Sequence, residues 1–237
     1  MSLDNTRKLY EISGYEVTDD GYAITLDRKR ISTQGGMPFV VPFEGLASAV
    51  AAEWNAQDSN IRPETMPFTG FCCTSLETAL IGRKSIINLL VPYAESDLLC
   101  YRAEVSKELQ NHQEVNWQPL LDWAAVTYDA RLTVTTGISY VEQPQEAIAN
   151  LRHAVEALDD FQLTVLETIT KITGSLVIGL CVISSRISAD VAFETSQLDE
   201  IWQNRKWGGD AEEIKRNKSL HIEILNAVRF LDLVRGV

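Results

Sequence analysis

The sequence predicts an α+β fold: a small N-terminal β-rich domain with one packed helix, followed by a mainly α-helical orthogonal bundle domain. Three observations predict it. The first forty residues are rich in β-formers and are broken by glycine turns. A stripe of helical period begins near Pro42. Beyond Arg62-Pro63, segment after segment carries apolar residues at helical spacing.

The strand candidates are LYEISGYEV, YAITLDRK and PFVVPF. DDG at 19–21 is a hairpin signal between the first two, and QGG at 34–36 precedes the third. Two or three strands alone bury a face poorly. A helix over 44–57 supplies the cover: Leu46, Val50 and Trp54 recur at i, i+4 and i+8, flanked by small alanines. Trp54 reads as a core anchor. This first domain is expected to span 1–66, with Pro63 bending the chain, since proline fixes its own φ and biases its predecessor away from helix.

The helical domain is expected over 67–237, with helices at 68–81, 84–94, 105–113, 116–128, 144–158, 160–184, 188–205 and 210–235. Asn116 and Ser188 read as helix starts. Val191, Thr195, Leu198 and Trp202 form one core stripe. Leu220, Ile224, Ala227, Leu231 and Val234 form another. Gly174 lies inside the expected helix 160–184, where glycine costs ~1 kcal/mol and marks a close helix–helix approach. A strand-like stretch, 131–141, interrupts the helices and is expected to return to the N-terminal sheet.

Composition excludes several functions. A formal charge of −12 argues against nucleic acid and anionic membrane surfaces, and it permits a basic protein partner. The most apolar run, GSLVIGLCVI, has ten residues, short of the ~20 that a membrane span needs. Cys72, Cys73, Cys100 and Cys181 make no CxxC pair and read as buried free thiols of a reducing compartment. The start, MSLDNTRKLYEI, has no signal core and no amphipathic leader. A bacterial cytoplasm is the expected location, or the mitochondrial matrix for a processed form.

Catalytic motifs are missing. His112, His153 and His221 lack metal-ligand spacing. There is no phosphate-binding glycine loop, and Gly174-Ser175 is not a nucleophile elbow. Paired acids such as Asp159-Asp160, Asp199-Glu200 and Glu212-Glu213 read as solvated charge. No metal or other cofactor is expected. One segment stands apart: WQNRKWGGDAEEIKR, 202–216. Two tryptophans flank a polar turn, Gly208-Gly209 ends one helix, and Asp210 caps the next, whose first turn carries Glu212 and Glu213. Helix capping explains the acids. It explains Trp207 less well, and aromatics flanked by charge are common binding hot spots.

Six elements occur in order: VPFEGLASAVAAEWNAQ, IRPETMPFT, DLLCYRA, WQPLLDW, TGSLVIGL and DEIWQNRKWGGDAEE. In this order they resemble the assembly chaperones of the F-type ATP synthase catalytic sector, the family that serves the alpha subunit. The likeness covers about residues 10–235. FCCTSLE departs from it, where a more regular helix start is the family pattern. The resemblance implies no catalysis. It implies ATP-independent binding of free alpha subunit, shielding the surface that the beta subunit later covers, by a chain that is monomeric when free. It carries client contact onto Trp207, Gly208, Asp210 and Glu212, where its turn motif matches; Glu53, Trp54, Pro63, Met66 and Gly174 are read from the residues themselves as structural. Two other readings compete: a hydrolase using Asp199 or Glu200 in a dispersed carboxylate site, and a scaffold or adaptor that stays in its complex.

Overall fold

The computed structural model describes residues 7–208 and 210–236, apart from the side chains of Ala79, Ile81 and Trp207. A small N-terminal strand region is followed by a mainly helical part. Contacts divide the chain into two compact units, Met1–Arg83 with Arg229–Val237, and Lys84–Val228.

In the first unit, β1 (Ser13–Thr18), β2 (Gly21–Leu26), β3 (Lys29–Arg30) and β4 (Val40–Val41) form an antiparallel sheet. β2 pairs with each of the other three. Thr18 stands opposite Gly21, so Asp19-Asp20 is the two-residue turn that DDG signals. Gly21 has φ +133°, and a Cβ there would lie 2.4 Å from the Val41 carbonyl oxygen, so only glycine fits. A second tight turn places Asp27 and Arg28 at φ 47° and 65°.

Helix α1 (Glu44–Asn55) buries Leu46, Ala47, Val50, Ala51 and Trp54. Its C-terminal end organises the chain around it. Asn55 bonds both backbone groups of Ser13, at 2.8 and 2.9 Å. Gln57, 4% exposed, accepts from the Arg62 amide and donates to the Glu53 carbonyl and the Thr65 hydroxyl. Pro63 opens a single 3₁₀ turn, Pro63–Thr65, and Met66 is buried behind it.

Helix α2 (Pro67–Ile81) starts on a proline, so Phe68 and Thr69 carry its first free amides. The Glu53 carboxylate accepts both at 2.7 Å and also takes the Thr69 hydroxyl at 2.7 Å. Burial raises the Glu53 pKa, and these bonds oppose the rise. Because α2 is tied to α1 in this way, the first unit runs on to Arg83 rather than ending at residue 66. The last turns of the final helix complete its core: Phe230, Leu231 and Val234 are buried, and the Phe230 ring lies 5.1 Å from that of Phe71.

The second unit contains α3 (Arg83–Leu90) from Lys84 onward, α4 (Pro92–Glu95), β5 (Tyr101–Arg102), α5 (Lys107–Tyr128), β6 (Thr135–Thr136) and α6 (Gln145–Glu156). It continues through α7 (Asp160–Thr173), α8 (Leu176–Ile183), α9 (Ala189–Ser196), α10 (Leu198–Trp207) and most of α11 (Ala211–Arg235). All eight residues of α8 are buried, and it packs on α4, α5, α7 and α9. Gly179 permits the α7–α8 approach: a Cβ there would lie 2.7 Å from Leu166 Cδ1 and 2.8 Å from Thr170 Oγ1.

Several sequence expectations are corrected. Residues 131–141 do not return to the N-terminal sheet; Thr135–Thr136 pairs with Tyr101–Arg102 in a two-stranded parallel sheet of the second unit. Segments 105–113 and 116–128 are one helix, α5, with Pro119 inside it. Asn116 caps nothing and instead donates back to the His112 carbonyl at 2.7 Å. The stretch 160–184 is two helices. Gly174 is not a mid-helix packing glycine: it ends α7 in the left-handed region, φ 67°, and Ser175 caps α8 through the Ile178 amide. The stretch 188–205 also breaks, at Gln197, which leaves Val191 43% exposed rather than in a core stripe.

Asp97 secures the α7–α8 turn. It is fully buried and accepts from the Leu99 and Val177 amides, each at 3.1 Å. Ser175 and Leu176 also bond to it. Burial nevertheless pushes its pKa up to about 6. A raised acid holds its proton more tightly when folded. The stability it adds is therefore present below the unfolded value near ~3.9 and is lost as pH rises through about 6. The advantage of wild type over Asp97→Asn should thus shrink between about pH 4 and about pH 6; urea denaturation across that range would refute this with a flat difference. By the same measurement, Gly179→Ala should cost about 1–3 kcal/mol through overpacking. Gly174→Ala should cost about 1–2 kcal/mol through backbone strain.

Candidate functional site

The turn between α10 and α11 gathers charge on one exposed surface of the second unit. Gly208 ends α10 at φ +82° with open space around it, as a C-terminal glycine does. Asp210 accepts the Glu212 amide at 3.3 Å, and its carbonyl takes the Ile214 amide at 3.0 Å. The two helices are stitched side by side. Glu200 on α10 accepts from Arg216 on α11 with both oxygens, at 3.1 and 3.0 Å. Asn204 donates to Glu213 at 2.7 Å. The result is an open depression lined by Glu200, Asp210, Glu212 and Glu213, together with Lys215 and Arg216. Ile214 stands 60% exposed on α11, and Ile222 and Leu225 continue an exposed apolar row along it.

Where α5 meets α10 lies a polar cluster that the sequence reading missed. Arg102 is 7% exposed. It donates to the Leu99 carbonyl at 2.7 Å and to Gln118 at 3.2 Å, stands over the Trp117 ring at 5.2 Å, and has Glu114 at 3.7 Å. Burial lowers its pKa, and the nearby acids oppose that. Gln113, fully buried, accepts the Ala103 amide and donates to Asp199 at 2.8 Å. Burial raises the Asp199 pKa, and the Gln113 bond and Arg102 counter it. Trp117 donates to the Thr195 carbonyl at 2.9 Å and so ties α5 to α9. The motif DLLCYRA contains Asp97 and Arg102, yet nothing in its local pattern says that both go inside.

The structure places the sequence-derived residues as follows. Asp210 and Glu212 share the depression, and Gly208 ends α10. Trp207 closes α10, but its side chain lies outside the described residues. Asp199 and Glu200 do not converge: one carboxylate turns to Gln113 and the other to Arg216. Glu53, Trp54, Pro63 and Met66 lie in the first unit, and Gly174 lies at the α7–α8 turn. Among the described residues no group of three or more His, Cys, Asp or Glu could hold a metal ion, and no helix is long and apolar enough to cross a membrane.

A helical hairpin that carries exposed acids beside exposed apolar side chains is of a class that can serve a protein partner. Comparison with known proteins gives the class a family. The ATP12 chaperone protein family profile matches residues 7–125. The crystal structure of Atp12 from Paracoccus denitrificans is 35% identical, covers 97% of this chain and 99% of that one, and superposes with a TM-score of 0.91. An Asp-to-Lys mutant of P. denitrificans Atp12p gives 34% identity, 97% and 98% coverage, and a TM-score of 0.91. A candidate chaperone from Agrobacterium tumefaciens is 28% identical, with 97% and 85% coverage and a TM-score of 0.87. The chain belongs to the ATP12 family of chaperones for ATP synthase assembly.

The geometry separates supporting residues from surface ones. Arg102→Ala, which removes its bonds to the Leu99 carbonyl and Gln118 and its packing on Trp117, should cost about 1–3 kcal/mol in urea denaturation. Glu200→Ala should cost less than ~1 kcal/mol, because its pair with Arg216 is exposed to solvent.

Proposed function

We propose that this chain is an ATP-independent chaperone that binds the free alpha subunit of the F-type ATP synthase catalytic sector. It shields the surface that the beta subunit later covers, and it is displaced when beta docks. The observation that carries this reading is the solvent-open depression at the α10–α11 turn, lined by four acids with Lys215 and Arg216, on a helix that also exposes Ile214. Such a surface suits a client face that mixes apolar and basic groups, and its charge steers encounter. Gly208, Asp210 and Glu212 form the client contact, with Trp207 beside them. Membership of a family of chaperones supports a role without bond chemistry. The divergence of Asp199 and Glu200 speaks against a carboxylate hydrolase. The free chain is a monomer in this reading and works in a bacterial cytoplasm.

Co-expression tests it. The chain should keep its own organism's alpha subunit soluble where an unrelated acidic protein does not; equal performance by the control would defeat the proposal. Reversing two charges, Asp210→Lys with Glu212→Lys, should weaken capture about tenfold, or ~1.4 kcal/mol. The unfolding midpoint should barely move, because both side chains are exposed. Capture should also weaken as salt rises. Purified ATP synthase should contain none of the chain, whereas a resident scaffold would co-purify in fixed ratio.

A further inference from the structure

An exposed row of side chains runs along α11 at helical spacing. Ile214, Lys218, Ile222 and Leu225 recur at i, i+4, i+8 and i+11, which sets them on one face. Ile214 is 60% exposed, Ile222 47% and Leu225 40%. Lys218 is exposed between them, and Lys215 is exposed next to Ile214. Neither lysine forms a salt bridge among the described residues. In a chain of formal charge −12, this row holds apolar groups and cations and no acid.

The helix that presents the row is held in place. Ile224 and Ala227 of α11 are fully buried. Arg216 and Asn217 both reach Glu200 of α10. His221 bonds Asp190 of α9 at 2.7 Å and stacks on Phe193, with ring centres 4.6 Å apart. The acids that α9 and α10 bring to this helix, Asp190 and Glu200, are thus already engaged. Glu212 and Glu223 of α11 stand two residues before Ile214 and one after Ile222, spacings that turn them off the face. A surface fixed in advance avoids ordering costs on binding.

The form of a partner follows from the backbone. The amides and carbonyls inside a helix bond one another. An extended segment laid on this face would find no main-chain partner and would leave its own groups unpaired where water is excluded. A helix arrives with its main chain satisfied. The row is also straight, and at 1.5 Å per residue it spans roughly 16 Å, about three turns of a second helix.

The charge of the partner follows from the lysines. Cations beside an apolar seam favour acids beside the apolar stripe of the facing helix, as the flanking positions of paired helices do. A second copy meeting through the same row brings cations and no acid, so it offers nothing to pair with them.

We infer that this face of α11 docks an acidic amphipathic helix of another protein. Its apolar stripe packs on Ile214, Ile222 and Leu225, and its carboxylates pair with Lys215 and Lys218. Lys215 also lines the depression at the α10–α11 turn, so the two surfaces are continuous. The inference rests on the chaperone reading only in naming that helix as part of the client.

The test uses the full chain, labelled with ¹⁵N, and a fluorescein-tagged peptide of about 18 residues, long enough to form a helix. The peptide carries leucines at i, i+4, i+7 and i+11 with glutamates beside them. A control peptide has lysine in place of every glutamate. Anisotropy should rise saturably with the acidic peptide and fall back as salt is added. The amides of Lys218, Ile222 and Leu225 should shift along the same curve. Lys215→Glu with Lys218→Glu should weaken binding about tenfold. Ile222→Asp with Leu225→Asp should abolish it. All four side chains are exposed, so the unfolding midpoint should move little, and that measurement separates lost binding from lost fold. The proposal fails if the basic peptide binds equally, if either double variant binds as well as wild type, or if amides elsewhere shift instead. It also fails if the signal follows the chain's own concentration, which makes a second copy the occupant. Vesicles containing phosphatidylserine that shift these amides would make the row a membrane contact and overturn it too. Capture of alpha subunit is scored separately. Absent peptide binding with capture intact removes the row alone, and absent capture with peptide binding intact removes the chaperone reading alone.

Discussion

The second unit depends on one carboxylate held away from water at the start of its most apolar helix. α8 has no exposed residue, so its first amides cannot be satisfied by solvent. Ser175 takes the Ile178 amide, and Asp97 takes the Leu176 and Val177 amides that precede it. Because Asp97 also receives the Leu99 amide, and the Leu98 amide reaches the Gly174 carbonyl, the turn before α8 is clamped from both sides. The cost of burying the charge appears in the raised pKa. The helix dipole and four donors keep that cost within bounds.

The first unit uses the same device independently. Pro67 removes an amide from the start of α2, and Glu53 takes the next two. In both units an acid distant in sequence completes a helix that its own neighbours leave open. This partitions the negative charge of the chain. Glu53, Asp97 and Asp199 are committed to internal partners. Asp210 and Glu212 reach solvent beside exposed apolar groups. Acids of the first kind set the shape, and those of the second kind are available to another molecule.

The candidate site was legible in part because its signals are local. Glycine after a helix and acids in the first turn of the next can be read within ten residues, and α10, Gly208, Asp210 and α11 follow that reading. The polar cluster between α5 and α10 was not legible. Arg102, Gln113 and Asp199 come from three separate segments, and each alone resembles an ordinary surface residue. The Trp54 indole N–H, buried without an acceptor among the described residues, has the same character, since a sequence shows an indole but not whether an acceptor faces it.

By itself the sequence determined the class of fold, the helix that covers the sheet, the β1–β2 turn, and the family through the order of six short motifs. These depend on period, turn chemistry and composition, all of which act over a few residues. Tertiary structure alone decided where helices were joined or cut, and which strands paired. Pro119 is carried inside α5, while Gly174 and Gln197 divide stretches whose apolar pattern runs on without a break. It also decided that Thr135–Thr136 joins Tyr101–Arg102, and which carboxylates turn inward. The physical reason is the same in each case. A helix end or a short strand is stabilised by whichever donor or acceptor reaches it in space, and that partner lies 15 to 86 residues away in the bonds that matter most here.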